Sequence, residues 1–362
     1  MSVWAGLLLV AFLALVVAGV VYQRRGIRED ARILPPPGRT IDIGGRRLHL
    51  YCTGDGPVSV VFEAGIGASS LNWRTIQQDV STFARACSYD RAGYGWSDPT
   101  PGPISARAAA EDLHRLLQVA AVPPPYVLVG HSFGAYVVSL FAAAHPDEVQ
   151  GIVFVDPITA DEWIAPDAEQ RRMLIGGRLF SYVGAGLASV GVLRFLLNRV
   201  RRGESGLPQQ VLRRFGWQAD RVVRRLVGEV VKMPADVWPA VRAHWSRARS
   251  FRTLARYLAA LPRSAADVQT TLVQPMLVQK GLTQTAASTL TQTPSAGAAS
   301  PVWNVPVTVL SGAQCSDRQI ARHLAVATLS PRGVHRRAAR GGHWIQLDEP
   351  QLVVDAIRAL IA

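Results

Sequence analysis

The chain has 362 residues, 49% hydrophobic and 18% charged, which suits one large α/β domain or a core with a second module and excludes a disordered chain. Its net charge of +13 comes almost wholly from arginine, with lysine only at Lys232 and Lys280. No RNA- or DNA-binding motif accompanies that charge, so nucleic acid is not an expected partner.

Three cysteines, Cys52, Cys87 and Cys315, stand far apart with no CxxC pair and no zinc-ligand spacing. Their sparse, odd number argues against a disulfide framework and fits a reducing compartment.

Residues 1–22 are the first unit. Val3 to Tyr22 carry no charge and are almost wholly apolar. Twenty helical residues at ~1.5 Å each reach ~30 Å, the thickness of a bilayer core. A cleaved signal would want a basic start and a small-x-small cleavage site, and neither is present, so a retained transmembrane helix is expected. Arg24, Arg25, Arg28 and Arg32 follow it directly. By the positive-inside rule they place the main domain on the cytoplasmic side. Residues 23–37, ending in Pro35-Pro36-Pro37, read as a basic, stiff linker.

Strand-like apolar runs follow, divided by turn residues. Arg46 to Tyr51, Val58 to Glu63, Ala86 to Tyr89, Tyr126 to Val129, Gly151 to Val155 and Val305 to Leu310 read as strands. Helical spacing covers Ser105 to Ala120, Phe133 to Ala144 and Pro350 to Ile361. Apolar strands alternating with helices predict an α/β fold: a mostly parallel sheet covered on both faces, in two parts, residues 38–157 and 301–362.

Between them, residues 158–300 read as an inserted helical cap. From Arg171 to Arg263 eighteen arginines and one lysine stand against four acids, a net +15, whereas the rest of the chain sums to −2. Runs such as Val211 to Trp217 and Trp245 to Arg252 interleave apolar and basic residues. Such a surface is either a solvated cap whose arginine stems pack over apolar groups, or a basic face lying on anionic lipid. Thr283 to Ser300, rich in Thr, Ser, Gln and Ala, reads as a mobile loop.

Gly130-His131-Ser132-Phe133-Gly134 is G-x-S-x-G, preceded by the strand Tyr-Val-Leu-Val and followed by a helix. In that setting the pattern is a nucleophile elbow: the glycines permit the sharp turn that lifts the serine Oγ above the sheet. A serine needs a base. His343, in Gly341-Gly342-His343-Trp344, follows the last expected strand and can hang over the same sheet edge. The other histidines fit less well. His131 adjoins the serine but its side chain should point elsewhere.

With Tyr89-Asp90-Arg91-Ala92-Gly93-Tyr94-Gly95-Trp96-Ser97-Asp98 and Pro146-Asp147-Glu148-Val149, these motifs make the chain resemble an α/β-hydrolase, of the bacterial serine esterase/lipase-like group with a helical cap. The likeness covers most of residues 40–157 and 301–362. It implies an oxyanion hole of two backbone N–H groups, at Phe133 and at Ile66 in Ala64-Gly65-Ile66-Gly67. The histidine that the family often shows at that second site is missing here. The resemblance also implies an acid in a G-x-x-D pattern before the histidine, and here that reads Gly312-Ala313-Gln314-Cys315. Asp317 lies two residues late. Asp156, closing Gly-Ile-Val-Phe-Val-Asp, preserves the order Ser…Asp…His and is preferred over Asp317. Asp90 and Asp98 are expected to fix the loop after the fourth strand.

The expected chemistry is acyl transfer from an ester, hydrophobic or lipid-like, to Ser132 and then to water, with His343 as base and no metal or organic cofactor. Serine at the nucleophile position disfavours the dehalogenase and epoxide-hydrolase chemistries of the fold, which use aspartate there. An acyltransferase would share the acyl-enzyme. A non-catalytic membrane protein on the same scaffold is supported only by the missing G-x-x-D acid.

Overall fold

The structure, a computed structural model, describes residues 3–200, 232–279 and 302–361, with only the backbone of residues 200 and 273–279. The expected loop at Thr283 to Ser300 and the arginine-rich run around Val211 to Trp217 lie outside the described residues.

Helix α1 (Val3–Ile33) opens the chain. It is long and apolar enough to cross a membrane, and its most apolar stretch is wholly unburied. The helix does not stop at residue 22, as the expected linker requires, but continues to Ile33. Residues 23–33 contain no proline and are mostly good helix formers, so nothing ends the helix before Pro35.

The core is an eight-stranded sheet: β1 (Arg39–Asp42), β2 (Arg47–Thr53), β3 (Ser59–Glu63), β4 (Arg85–Tyr89), β5 (Tyr126–His131), β6 (Val149–Val155), β7 (Val307–Ser311) and β8 (Gly333–Arg337). Their order is β1-β2-β4-β3-β5-β6-β7-β8. Only β2 runs against its neighbours, and every pairing from β4 to β8 is parallel. Alternate residues of each strand serve opposite layers. Val61 and Leu128 face α3 (Ala106–Val119) and α4 (Gly134–Ala144), with Leu113, Val137 and Phe141. Val60, Phe62, Val127 and Val129 face α2 (Arg74–Val80) and the C-terminal helix, with Ile76, Val80, Val353 and Ile357. Fully burying each such side chain contributes about 1.5–3 kcal/mol, so both layers are strongly held.

Cys52 and Cys87 are direct register partners across β2 and β4, and they form a disulfide. This corrects the expectation of unpaired cysteines and removes the basis for a reducing compartment. A sequence separation of 35 conceals a pairing that the antiparallel β2–β4 ladder creates.

The insert after β6 folds as helices over the C-terminal edge of the sheet. They are α5 (Ala160–Trp163), α6 (Ala168–Ser189), α7 (Val192–Val200), α8 (Trp238–Trp245) and α9 (Ala248–Gln279). Gly177, Ser181, Gly184, Ala185 and Ala188 make a small-residue face on α6. It lets α9 approach closely: a Cβ on Gly184 would lie 2.5 Å from the Phe251 ring. Three helices complete the chain: α10 (Asp317–Ala327), α11 (Ile345–Asp348) and α12 (Pro350–Ile361).

Candidate active site

Strand β5 ends at His131, and α4 begins at Gly134. Ser132 sits in the turn between them with φ +52, a left-handed conformation that L side chains rarely adopt. The two flanking glycines make the turn possible. A Cβ on Gly130 would lie 2.8 Å from the backbone of Gly134, and one on Gly134 would lie 2.5 Å from the Glu63 carbonyl oxygen. Strain held at such a point is characteristic of functional turns. Phe133 caps the helix, where the first N–H groups have no carbonyl partner within the helix.

Asp156 follows β6 and is the second strained residue of the site, with φ +42. Its backbone N–H donates to the Leu310 carbonyl at 2.8 Å, which fixes the turn against β7. One carboxylate oxygen, Oδ2, accepts from His343 Nδ1 at 2.6 Å. The other, Oδ1, accepts from the Gly312 N–H and from the Cys315 thiol, each at 3.0 Å. Burial alone would raise this carboxyl's pKa. The hydrogen bond and charge of His343, with the Gly312 and Cys315 donors, outweigh it and hold the group well below the usual carboxylate range. The structure thus brings Asp156 to His343. Asp317 is instead the exposed first residue of α10, where its charge complements the helix N-terminus.

His343 lies between β8 and α11, and its side chain is 15% exposed. Its Nδ1 is bound to Asp156, and the residue lines the same pocket as Ser132. His131 Nε2–H donates to the backbone carbonyl of His343 at 2.9 Å. The residue beside Ser132 therefore holds the backbone of His343, a role that its place in the sequence did not suggest. Cys315 was likewise missed. Burial, and then the charge of Asp156, push its thiol up to about 12, so it stays protonated and donates.

Ser132, His343, Ile66 and Gly65 line one pocket, open to solvent. Its walls are apolar: Ile158 and Trp163 after β6, Leu174 on α6, and Leu254, Leu258 and Leu261 on α9. Ile66 and Phe133, the expected oxyanion donors, flank Ser132 from the β3 loop and the head of α4. Behind the β3 loop, the buried Arg91 guanidinium donates to the Glu63 carboxylate and to the carbonyls of Ala64 and Gly65. It lies 5.5 Å from the Phe133 ring centroid and 5.0 Å from that of Tyr257 on α9. One side chain so ties the β3 loop, the start of α4 and the cap together. Asp90 holds the loop after β4, accepting from the N–H groups of Ser70 and Trp96 and from His49 Nδ1. Asp98 accepts from the Arg47 N–H.

A family model for the α/β hydrolase fold matches residues 58–176. An uncharacterised Bacillus subtilis protein, YqjL, is 36% identical over 124 residues, 34% of this chain and 49% of that protein. The 2-(acetamidomethylene)succinate hydrolase of Mesorhizobium japonicum is 31% identical over 147 residues, 41% of this chain and 52% of that one. The chain spans about half or less of the length of these curated relatives. Among solved structures, a Bacillus megaterium epoxide hydrolase superposes with a TM-score of 0.58 at 17% identity, covering 89% of this chain and 99% of that one.

Proposed function

Because the chain has the α/β-hydrolase fold and a family model of that fold matches residues 58–176, we propose that it is a membrane-anchored serine hydrolase cleaving a hydrophobic carboxylic ester through an acyl-enzyme on Ser132. One observation carries this reading. The strained Ser132 shares an apolar pocket with His343, whose Nδ1 rests on the buried, ionised carboxylate of Asp156.

In the proposed reaction, Ser132 Oγ attacks the acyl carbonyl while His343 Nε2 takes its proton. The negative charge that develops on the carbonyl oxygen is held by the N–H groups of Phe133 and Ile66, each such donor contributing roughly 3–4 kcal/mol in the transition state. As the ester C–O bond breaks, the leaving alkoxide recovers the proton from His343. Water then gives a proton to His343 and attacks the acyl-enzyme. The carboxylic acid leaves and Ser132 recovers its proton. Asp156 keeps the imidazole in the tautomer and orientation that both steps use.

The apolar walls support a hydrophobic acyl group, and α1 supports attachment to a membrane. The Cys52–Cys87 disulfide supports placing the domain in an oxidising compartment, the reverse of the orientation expected from the arginine flank. The same Asp156–His343 pair weighs against a non-catalytic scaffold, whose only support was a missing acid. The test is turnover of a short-to-long p-nitrophenyl ester series by the full chain. Hydrolysis that favours longer chains and falls by about 10⁴ in Ser132→Ala is expected. No turnover, or turnover that survives the substitution, rejects the reading.

A further inference from the structure

Helix α6 has two working faces. Met173, Leu174 and Gly177 line the Ser132 pocket. Ile175, Leu179, Tyr182 and Val183, spaced i, i+4, i+7 and i+8, point outward and are 53–64% exposed. Beyond an 88° corner at Val190–Gly191, α7 adds exposed Phe195 and Leu196. Contiguous outward apolar groups of this kind mark an interaction surface.

The path of α1 says what covers it. Its apolar stretch protrudes unburied, but from Gly19 onward it is docked on this corner. A Cβ on Gly19 would lie 2.3 Å from the Val190 carbonyl oxygen, and one on Gly191 would lie 2.8 Å from the Gly19 carbonyl oxygen. Asn198 Nδ2 donates to the Tyr22 hydroxyl at 2.9 Å. Arg194, buried, donates to Gln23 at 2.9 Å and to Asp30 at 2.6 Å. If residues 3–22 cross a bilayer, Gly19 lies near the edge of its hydrocarbon layer, and the α6–α7 corner in backbone contact with it lies at the same depth. Arg24, Arg25 and Arg28 on α1, with exposed Arg178 and Arg199 on the two cap helices, then stand at headgroup level, where anionic lipid attracts them.

We propose that the α6–α7 corner seats in the headgroup–acyl boundary of the bilayer that α1 crosses, and that the ester reaching Ser132 is a membrane-resident lipid with a long acyl chain. Among the described residues, α6 carries both the outward apolar face and the Leu174 wall of the pocket, which gives the acyl chain a path from lipid to the pocket along one helix. The substrate half of this inference rests on the function proposed above. The seating half rests on geometry alone.

The experiment uses the full chain in phosphatidylcholine–phosphatidylglycerol vesicles. Nitroxides are placed at Leu179→Cys, Phe195→Cys and Val119→Cys, with the unsubstituted chain measuring background labelling of Cys315. Val119 ends α3 at the opposite edge of the sheet and serves as the aqueous reference. Labels at 179 and 195 are expected to collide more with oxygen than with a water-soluble nickel chelate, and the label at 119 the reverse. Aqueous behaviour at 179 and 195 overturns the seating. In parallel, Leu179→Asp with Val183→Asp is expected to raise the apparent KM for a vesicle-borne long-chain ester about tenfold while a soluble short ester is unaffected. Equal effects on both substrates, or none, overturn delivery from the membrane. A chain that hydrolyses neither ester rejects the proposed function, and the nitroxides still decide the seating.

Discussion

The thiol of Cys315 donates to Oδ1 of Asp156 at 3.0 Å, on the carboxylate whose other oxygen holds His343. Cys315 stands three residues after Gly312, where the family resemblance led to the expectation of an acid. Asp156 and Cys315 follow neighbouring parallel strands, β6 and β7, and converge on one point beside the histidine. Both positions therefore place their side chains within one hydrogen-bonded cluster at His343.

That convergence predicts a rescue. Asp156→Asn should cost about 10⁴ in ester turnover, because the amide no longer fixes the histidine tautomer. Adding Cys315→Asp should restore at least about tenfold of that loss, since the new carboxylate starts within hydrogen-bond reach of the old one. Steady-state kinetics of the single and double variants decide it. A folded double variant with no recovery would mean that position 315 cannot serve His343.

Thiol chemistry should follow the same contact. With its pKa at about 12, Cys315 is almost wholly protonated at pH 8 and gains thiolate only as pH rises toward that value. Its alkylation by iodoacetamide in the native chain should be at least about tenfold slower than after denaturation, and faster in Asp156→Asn, where a repelling charge is gone. Denatured but unreduced protein should offer one thiol, because Cys52 and Cys87 are bonded to each other. Three free thiols would contradict the pairing.

The docked half of α1 should matter to the cap. Asp30 and Arg194 are both 3% exposed and lie 2.6 Å apart. Breaking a buried pair by removing one partner costs roughly 3–5 kcal/mol, because the other charge is left uncompensated. Asp30→Ala should therefore raise amide exchange in α7 and α8 while leaving β5 and β6 protected. Asp30→Leu with Arg194→Met should be milder than either single change. Unchanged exchange in the single variants would show that the network does not hold the cap. A truncation of residues 1–32 would likewise strip Gln23 and Asp30 from Arg194.

Arg91 should act on rate with little effect on affinity. Its guanidinium pulls the carbonyls of Ala64 and Gly65 inward, so the N–H of Ile66 is set by the opposite side of that loop. Arg91→Lys keeps the charge but loses the fork that grips two carbonyls. A kcat reduced about 10² with KM nearly constant is expected, as for the loss of one oxyanion donor. A change confined to KM would place Arg91 in substrate binding instead.

The parallel centre of the fold was legible because β3 to β7 are short apolar runs closed by turn residues, and Pro350–Ile361 has clean helical spacing. The edge strands β1 and β8 were not. Arg39-Thr-Ile-Asp and Gly333-Val-His-Arg-Arg are largely exposed and carry no apolar run to read. Ser132 and His343 stood out by residue type and setting. Their proposed acid did not, since Asp156 and Asp317 both suit the chain order, and only the folded loop at 312–315 separates them. The disulfide and the Asp30–Arg194 pair were hidden for one reason: each joins segments whose adjacency is decided by tertiary packing.

The central claim is that Ser132 is the nucleophile, activated by His343. Its most direct test is mass spectrometry of the full chain treated with a fluorophosphonate. One adduct is expected, on the peptide holding Ser132, lost in Ser132→Ala and slowed by about 10³ or more in His343→Ala. An adduct on another residue, or labelling at Ser132 that is indifferent to His343, would contradict it.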